Sequence, residues 1–170
     1  MNAGGRVTIF AYGSNMGTSR LTARTPSATP LGIGQLKGHA LKWHKTGTDG
    51  SGKCDVVSTG NDNDVVWGVL YTLDTSEKPA LDKVEGLGTD YAESCLDILI
   101  GGETVKAWFY VAILKEDGLI PFDWYKAFVV EGAREHGLPQ DYIAALDAVA
   151  ASPDPDAERA AQNARILAGR

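Results

Sequence analysis

The sequence predicts an α+β protein, a small mixed, mostly antiparallel β-barrel with peripheral helices. Three observations carry this expectation. Six short segments rich in β-branched and aromatic residues are punctuated by Gly, Asn and Asp; a single helical segment interrupts them; the remaining helical pattern gathers toward the C-terminus. The strand and helix alternation of a parallel βαβ sheet is absent.

Val7 to Tyr12, "VTIFAY", reads as the first strand and breaks at once into Gly13, Ser14 and Asn15, residues that turn a chain. The stretch "RLTARTPSATPLGIGQLKG" that follows is polar and broken by Gly and Pro, so it reads as loop with at most a helical turn. "HALKWHK" is the second strand. Two flexible stretches, "GTDGSGK" and "TGNDND", bracket the third, "CDVVS", and Val65 to Leu73 is the fourth.

The period changes at "DTSEKPALDKVEGLG", where Thr75 or Ser76 can cap a helix, Pro79 suits its first turn, and Gly86 and Gly88 end it. "YAESCLDILI" and "TVKAWFYVAIL" then flank a "GGE" turn and predict a hairpin. Pro121 and Asp123 open a second helix with Phe122, Tyr125, Phe128, Val129 and Ala133 as its apolar stripe, closed by Gly137 and Pro139. A third helix near Asp141 to Ala151 buries Tyr142, Ile143, Leu146 and Val149. Beyond the stiff "SPDPD", the segment from Ala157 is helix-prone with few apolar anchors and is expected to pack peripherally.

A chain of 170 residues with 44% hydrophobic content matches one domain spanning 1–170, with 152–170 as a C-terminal helical extension. The net charge of −6 and the scattered Lys and Arg give no basic field, so no nucleic-acid partner is expected. Cys54 and Cys95 are far apart and show no metal-binding spacing. No apolar run nears the ~20 residues of a membrane helix, and "MNAGGR" lacks a signal pattern, so a cytoplasmic protein without membrane association is expected.

"GSNMG" resembles a serine elbow only superficially, because Ser14 stands second rather than third and lacks triad partners. Phosphate-loop patterns are absent; His39 and His44, five apart in one strand, point to opposite faces and His136 lies on another element, so no metal site is expected. Two features remain. The turn after the first strand offers backbone N–H groups that can hold a carboxylate or an oxyanion. Glu85 ends the first predicted helix beside Val84 and Leu87, where partial burial and the negative helix end both disfavour its ionised form, and Asp82 lies roughly on the same side. Each has an ordinary reading as well: a chain reversal, and a solvated helix-end residue.

Together, "FAYGSNM", "VWGVLYTL", "LDKVEG" with Tyr91 just beyond it, and "WYKAFVVEGAREHGLP" resemble, in order and spacing over roughly residues 7 to 147, the γ-glutamyl cyclotransferase family. The resemblance implies a small barrel with surrounding helices and a cofactor-free enzyme that converts a small γ-glutamyl amino acid or amine to 5-oxoproline and the free amine. It assigns acid/base duty to Glu85 and the glutamyl cradle to Gly13, Ser14 and Asn15. Tyr12, Tyr91 and Tyr125 are candidate pocket residues. The aromatic helix from Phe122 to His136 could bury against its own barrel or against a second copy in a homodimer. The competing expectation is a non-catalytic binding or interaction module on the same fold.

Overall fold

The computed structural model describes residues 4–169. Its elements run in the order β1 (Arg6–Ala11), α1 (Thr18–Thr22), β2 (Thr29–Lys37), β3 (His39–Thr46), β4 (Gly52–Ser58), β5 (Val65–Asp74), α2 (Lys78–Glu85), β6 (Tyr91–Ile100), β7 (Glu103–Ala112), α3 (Asp123–Glu135), α4 (Gln140–Asp147) and α5 (Ala157–Ala168). Short 3-10 turns at Ser14–Met16 and Thr75–Glu77 precede α1 and α2.

Five strands close into a barrel in the order β1-β5-β2-β6-β7. A closed ring with an odd number of strands cannot alternate direction all the way round, so one pair must be parallel. That pair is β1 with β7, meeting at Ile9 and Trp108, while the other four are antiparallel. The expected α+β class, a mixed but mostly antiparallel barrel with peripheral helices, is borne out.

The parallel pair also decides where side chains gather. Because β1 and β7 end on the same side and β6 starts there, with Tyr91 opposite Ala112, three tyrosines converge on one mouth of the barrel. They are Tyr12 just past β1, Tyr110 near the end of β7, and Tyr91 at the start of β6. Glu85 reaches the same mouth as the last residue of α2. Gly86 follows it with φ 71°, a left-handed cap that stops the helix and turns the chain toward β6.

Tyr71, Phe109 and Phe128 are the largest fully buried side chains, each worth roughly 1.5–3 kcal/mol of burial. The stripe expected on α3 faces inward, with Tyr125, Phe128, Val129 and Ala133 all buried. Near its end, α3 touches the Ser14–Met16 turn. A Cβ at Gly132 would stand 2.7 Å from the Gly17 nitrogen and 2.9 Å from the Met16 Cβ, so only glycine permits this approach.

The β3–β4 hairpin forms a two-stranded sheet of its own outside the ring. Asp55 pins it to the barrel. Its carboxylate is fully buried and accepts the Ala112 N–H at 2.7 Å on one oxygen, while the other lies 2.7 Å from His44 Nε2. A buried carboxylate needs such partners, since desolvation without them costs several kcal/mol.

One sequence expectation is corrected. The stretch 20–38, read as loop with at most a helical turn, contains most of α1 and the whole of β2, a seventh strand. In β2, Pro30, Gly32 and Gly34 break the apolar alternation, and the register slips between Pro30 and Gly32. Its strand character is imposed by β5 and β6 on either side, which is how tertiary context overrides weak local propensity. At the C-terminus α5 forms and buries no residue, in keeping with peripheral packing.

Candidate active site

The converging strand ends enclose a pocket of about 470 Å³, part of it open to solvent. Its inner wall is the apolar end of β1, Ile9 to Ala11, and its rim is formed by the turn and Glu85. All seven residues singled out from the sequence border it: Tyr12, Gly13, Ser14 and Asn15 from the turn, Glu85 from α2, Tyr91 from β6 and Tyr125 from α3.

Glu85 is held in a triangle of polar groups. Its Oε1 accepts 2.8 Å from Asn15 Nδ2 and 3.0 Å from Arg24 Nη1. Arg24 also donates to Asn15 Oδ1 at 2.8 Å. Since a guanidinium only donates and an ionised carboxylate only accepts, these partners fix which way the Asn15 amide points. The Glu85 side chain is only 15% exposed, so the guanidinium offsets part of the cost of holding its charge away from water. Both bonds fall on Oε1 rather than on Oε2.

The tyrosines form walls whose hydroxyls serve the scaffold. Tyr12 donates to the Tyr110 carbonyl, Tyr91 donates to the Cys54 carbonyl at 3.0 Å, and the Cys54 N–H donates to the Tyr125 hydroxyl at 3.0 Å. Burial raises the ionisation of all three well above the ordinary tyrosine value, so they remain neutral. Tyr110, also on the wall, donates to Asp82 Oδ1 at 2.6 Å. Asp82 thus sits next to the pocket, as its helical spacing from Glu85 suggested, but through this tyrosine.

The first hydrogen bond of the Ser14–Met16 turn runs from Met16 N–H to the Gly13 carbonyl at 3.1 Å. The N–H groups of Ser14 and Asn15, ahead of it, have no partner within the turn. From behind, the Met16 carbonyl is gripped by the Tyr71 hydroxyl at 2.7 Å, and Tyr71 in turn meets His136 Nε2 at 2.9 Å and Thr18 Oγ1 at 3.0 Å. His136 therefore belongs to the support of the turn.

Sequence reasoning did not single out Arg24, Trp108 or Tyr110. Arg24 carries no local signal, because it lies in the stretch read as loop and meets Glu85 across 61 positions. Trp108 and Tyr110 could have been found from strand alternation, which places residues two apart on one face. Cys54 also lines the pocket, but burial pushes its thiol up to about 12, so it is an inert wall. Among the described residues no cluster of three or more His, Cys, Asp or Glu could hold a metal ion, and no helix is long and apolar enough to cross a membrane.

The AIG2-like family model matches residues 65–146. Gamma-glutamylcyclotransferase of Mus musculus is 28% identical over 154 residues, covering 82% of this chain and 77% of that protein; the Homo sapiens protein of the same name is 28% identical over 147 residues with the same coverage. A solved structure titled gamma-glutamyl cyclotransferase superposes with a TM-score of 0.87 at 25% identity, covering 98% of this chain and all of that one. The resemblance read from the sequence is borne out: the chain is similar to γ-glutamyl cyclotransferases over most of its length and to the AIG2-like family over residues 65–146, and these relatives support cyclotransferase activity.

Proposed function

We propose that this protein converts a small γ-glutamyl amide to 5-oxoproline and the free amine, with Glu85 as the acid/base. The observation that carries the reading is the polar triangle at the mouth, where Asn15 of the turn and Arg24 together fix one oxygen of Glu85.

The nucleophile is the α-amine of the substrate. Glu85 takes a proton from the ammonium, the freed nitrogen attacks the γ-carbonyl carbon, and a five-membered ring closes around a tetrahedral oxyanion. The N–H groups of Ser14 and Asn15 receive that negative charge, or the α-carboxylate of the glutamyl group. When the oxyanion collapses the original amide C–N bond breaks as Glu85 returns its proton to the leaving nitrogen, and the second proton of the ring nitrogen passes through the same carboxylate to the departing amine, leaving a neutral lactam N–H and an ammonium. Atoms balance with no water consumed. One carboxyl can serve both proton transfers, an effect worth roughly 10²- to 10⁴-fold, and a pocket that bends the glutamyl chain toward closure adds an entropic advantage. Gly13 allows close approach at the cradle, and Tyr12, Tyr91 and Tyr125 shape the glutamyl slot while excluding water.

The test is incubation of the wild-type protein and Glu85→Gln with a panel of γ-glutamyl amino acids and amines, following 5-oxoproline by mass spectrometry. Turnover by the wild type alone supports the reading. Turnover retained in Glu85→Gln removes Glu85 from the chemistry, and no product from either removes the activity.

A further inference from the structure

A second cavity, enclosing about 770 Å³ of largely open space, lies directly outside the first and shares Ser14, Glu85, Tyr91 and Tyr125 with it. Glu85 borders both spaces. If the amide to be cleaved sits at Glu85, which rests on the function proposed above, the glutamyl half fills the inner pocket and the departing amine projects into the outer one.

The outer wall differs in chemistry from the inner one. Arg20, Arg24, Lys45 and Lys53 line it together with Asp49, Glu85 and Asp90, so basic groups outnumber acidic ones on a chain whose net charge is −6. Lys53 is the most elaborately held of them. Its Nζ donates to Asp49 Oδ2 and Ser51 Oγ, both at 2.9 Å. The same ammonium stands 4.5 Å from the ring centre of Tyr125, 4.6 Å from Trp124 and 5.8 Å from Phe122, an aromatic cage that attracts a cation. The cage is itself braced: Trp124 Nε1 donates to Asp154 Oδ2 at 2.8 Å, and Arg159 of α5 grips that carboxylate through two bonds of 2.6 Å. An ammonium has three N–H donors, and two are committed to side-chain oxygens. Strand alternation sets neighbouring Cys54 on the inner pocket while Lys53 faces the outer one.

We propose that Lys53 is a specificity-determining residue whose remaining N–H holds a carboxylate on the leaving amine, so that γ-glutamyl derivatives of amino acids are favoured over those of uncharged or cationic amines.

The experiment compares γ-glutamyl-alanine with γ-glutamyl-ethylamide, which differ by the leaving-group carboxylate, using the full chain as wild type, Lys53→Met and Lys53→Arg. Met keeps a long apolar stem in the cage and removes the charge. A charge-assisted hydrogen bond gives the wild type roughly a ten- to hundredfold preference in kcat/KM for the alanine derivative. In Lys53→Met this ratio falls toward one, chiefly through KM, and Lys53→Arg restores part of it. Equal turnover of the two substrates by the wild type, or an unchanged ratio in Lys53→Met, overturns the proposal while leaving the cyclotransferase reading intact. Absence of 5-oxoproline from both substrates removes the reading and the proposal together. Should Lys53→Met fail to fold, the wild-type ratio and the Lys53→Arg variant still decide.

Discussion

The hydroxyl of Tyr71, fully buried in β5, donates a 2.7 Å hydrogen bond to the carbonyl of Met16, the last residue of the turn that faces the pocket. Removing it with Tyr71→Phe leaves that carbonyl without this donor and frees the turn from its support. We expect a stability loss of about 1–3 kcal/mol in denaturant unfolding. We also expect a fall in kcat/KM for 5-oxoproline release under conditions where the variant is fully folded. Unchanged kcat/KM would show that the turn keeps its shape without Tyr71.

Gly132 meets the same turn from the other side. Replacing an interior helical glycine with alanine ordinarily stabilises by about 0.8–1 kcal/mol. Here the new Cβ falls 2.7 Å from the Gly17 nitrogen, a backbone atom that cannot rotate away, and overpacking costs about 1–3 kcal/mol. The steric effect wins, so Gly132→Ala should lower Tm by several degrees. A Tm equal to or above that of the wild type would show that α3 can retreat from the turn.

All six tyrosines have their ionisation raised by burial, Tyr71 to about 12. A raised folded value means that the unfolded chain gives up the proton first. The tyrosine contribution to stability is therefore intact below about pH 10 and is lost as pH rises through the raised folded values, from about 10 to 12 for Tyr71. In an alkaline titration, tyrosinate absorbance should rise together with loss of near-ultraviolet circular dichroism. Tyrosinate appearing near pH 10 with the fold intact would contradict the observed burial.

Much of this architecture is legible in the sequence, for identifiable reasons. The β6–β7 hairpin announces itself because alternation is sustained through ten paired positions around a glycine turn. The Gly13–Asn15 turn and Glu85 are legible because each ends a regular element, where local rules apply. The strand β2 is not, because its pairing with β5 and β6 supplies what Pro30, Gly32 and Gly34 withhold. Nor is the Arg24 partner of Glu85. The sequence shows a carboxylate at a negative helix end, but the cation that meets it arrives from a distant loop. The hydroxyls of Tyr12, Tyr91 and Tyr125 are equally silent, since whether a phenol faces ligand or backbone depends on neighbours far along the chain.

The hairpin β3–β4 stands outside the closed ring, yet Lys45 and Lys53 of the outer cavity belong to it. The strands that frame Glu85 keep their own ladders whatever that hairpin carries, provided Asp55 still docks it. The hairpin is also joined to the inner pocket through Cys54, whose backbone holds the hydroxyls of Tyr91 and Tyr125. Under the proposed reading, changes confined to the 47–51 loop vary the outer cavity while Cys54, Asp55 and Glu85 stay in place, so the two spaces can be altered one at a time.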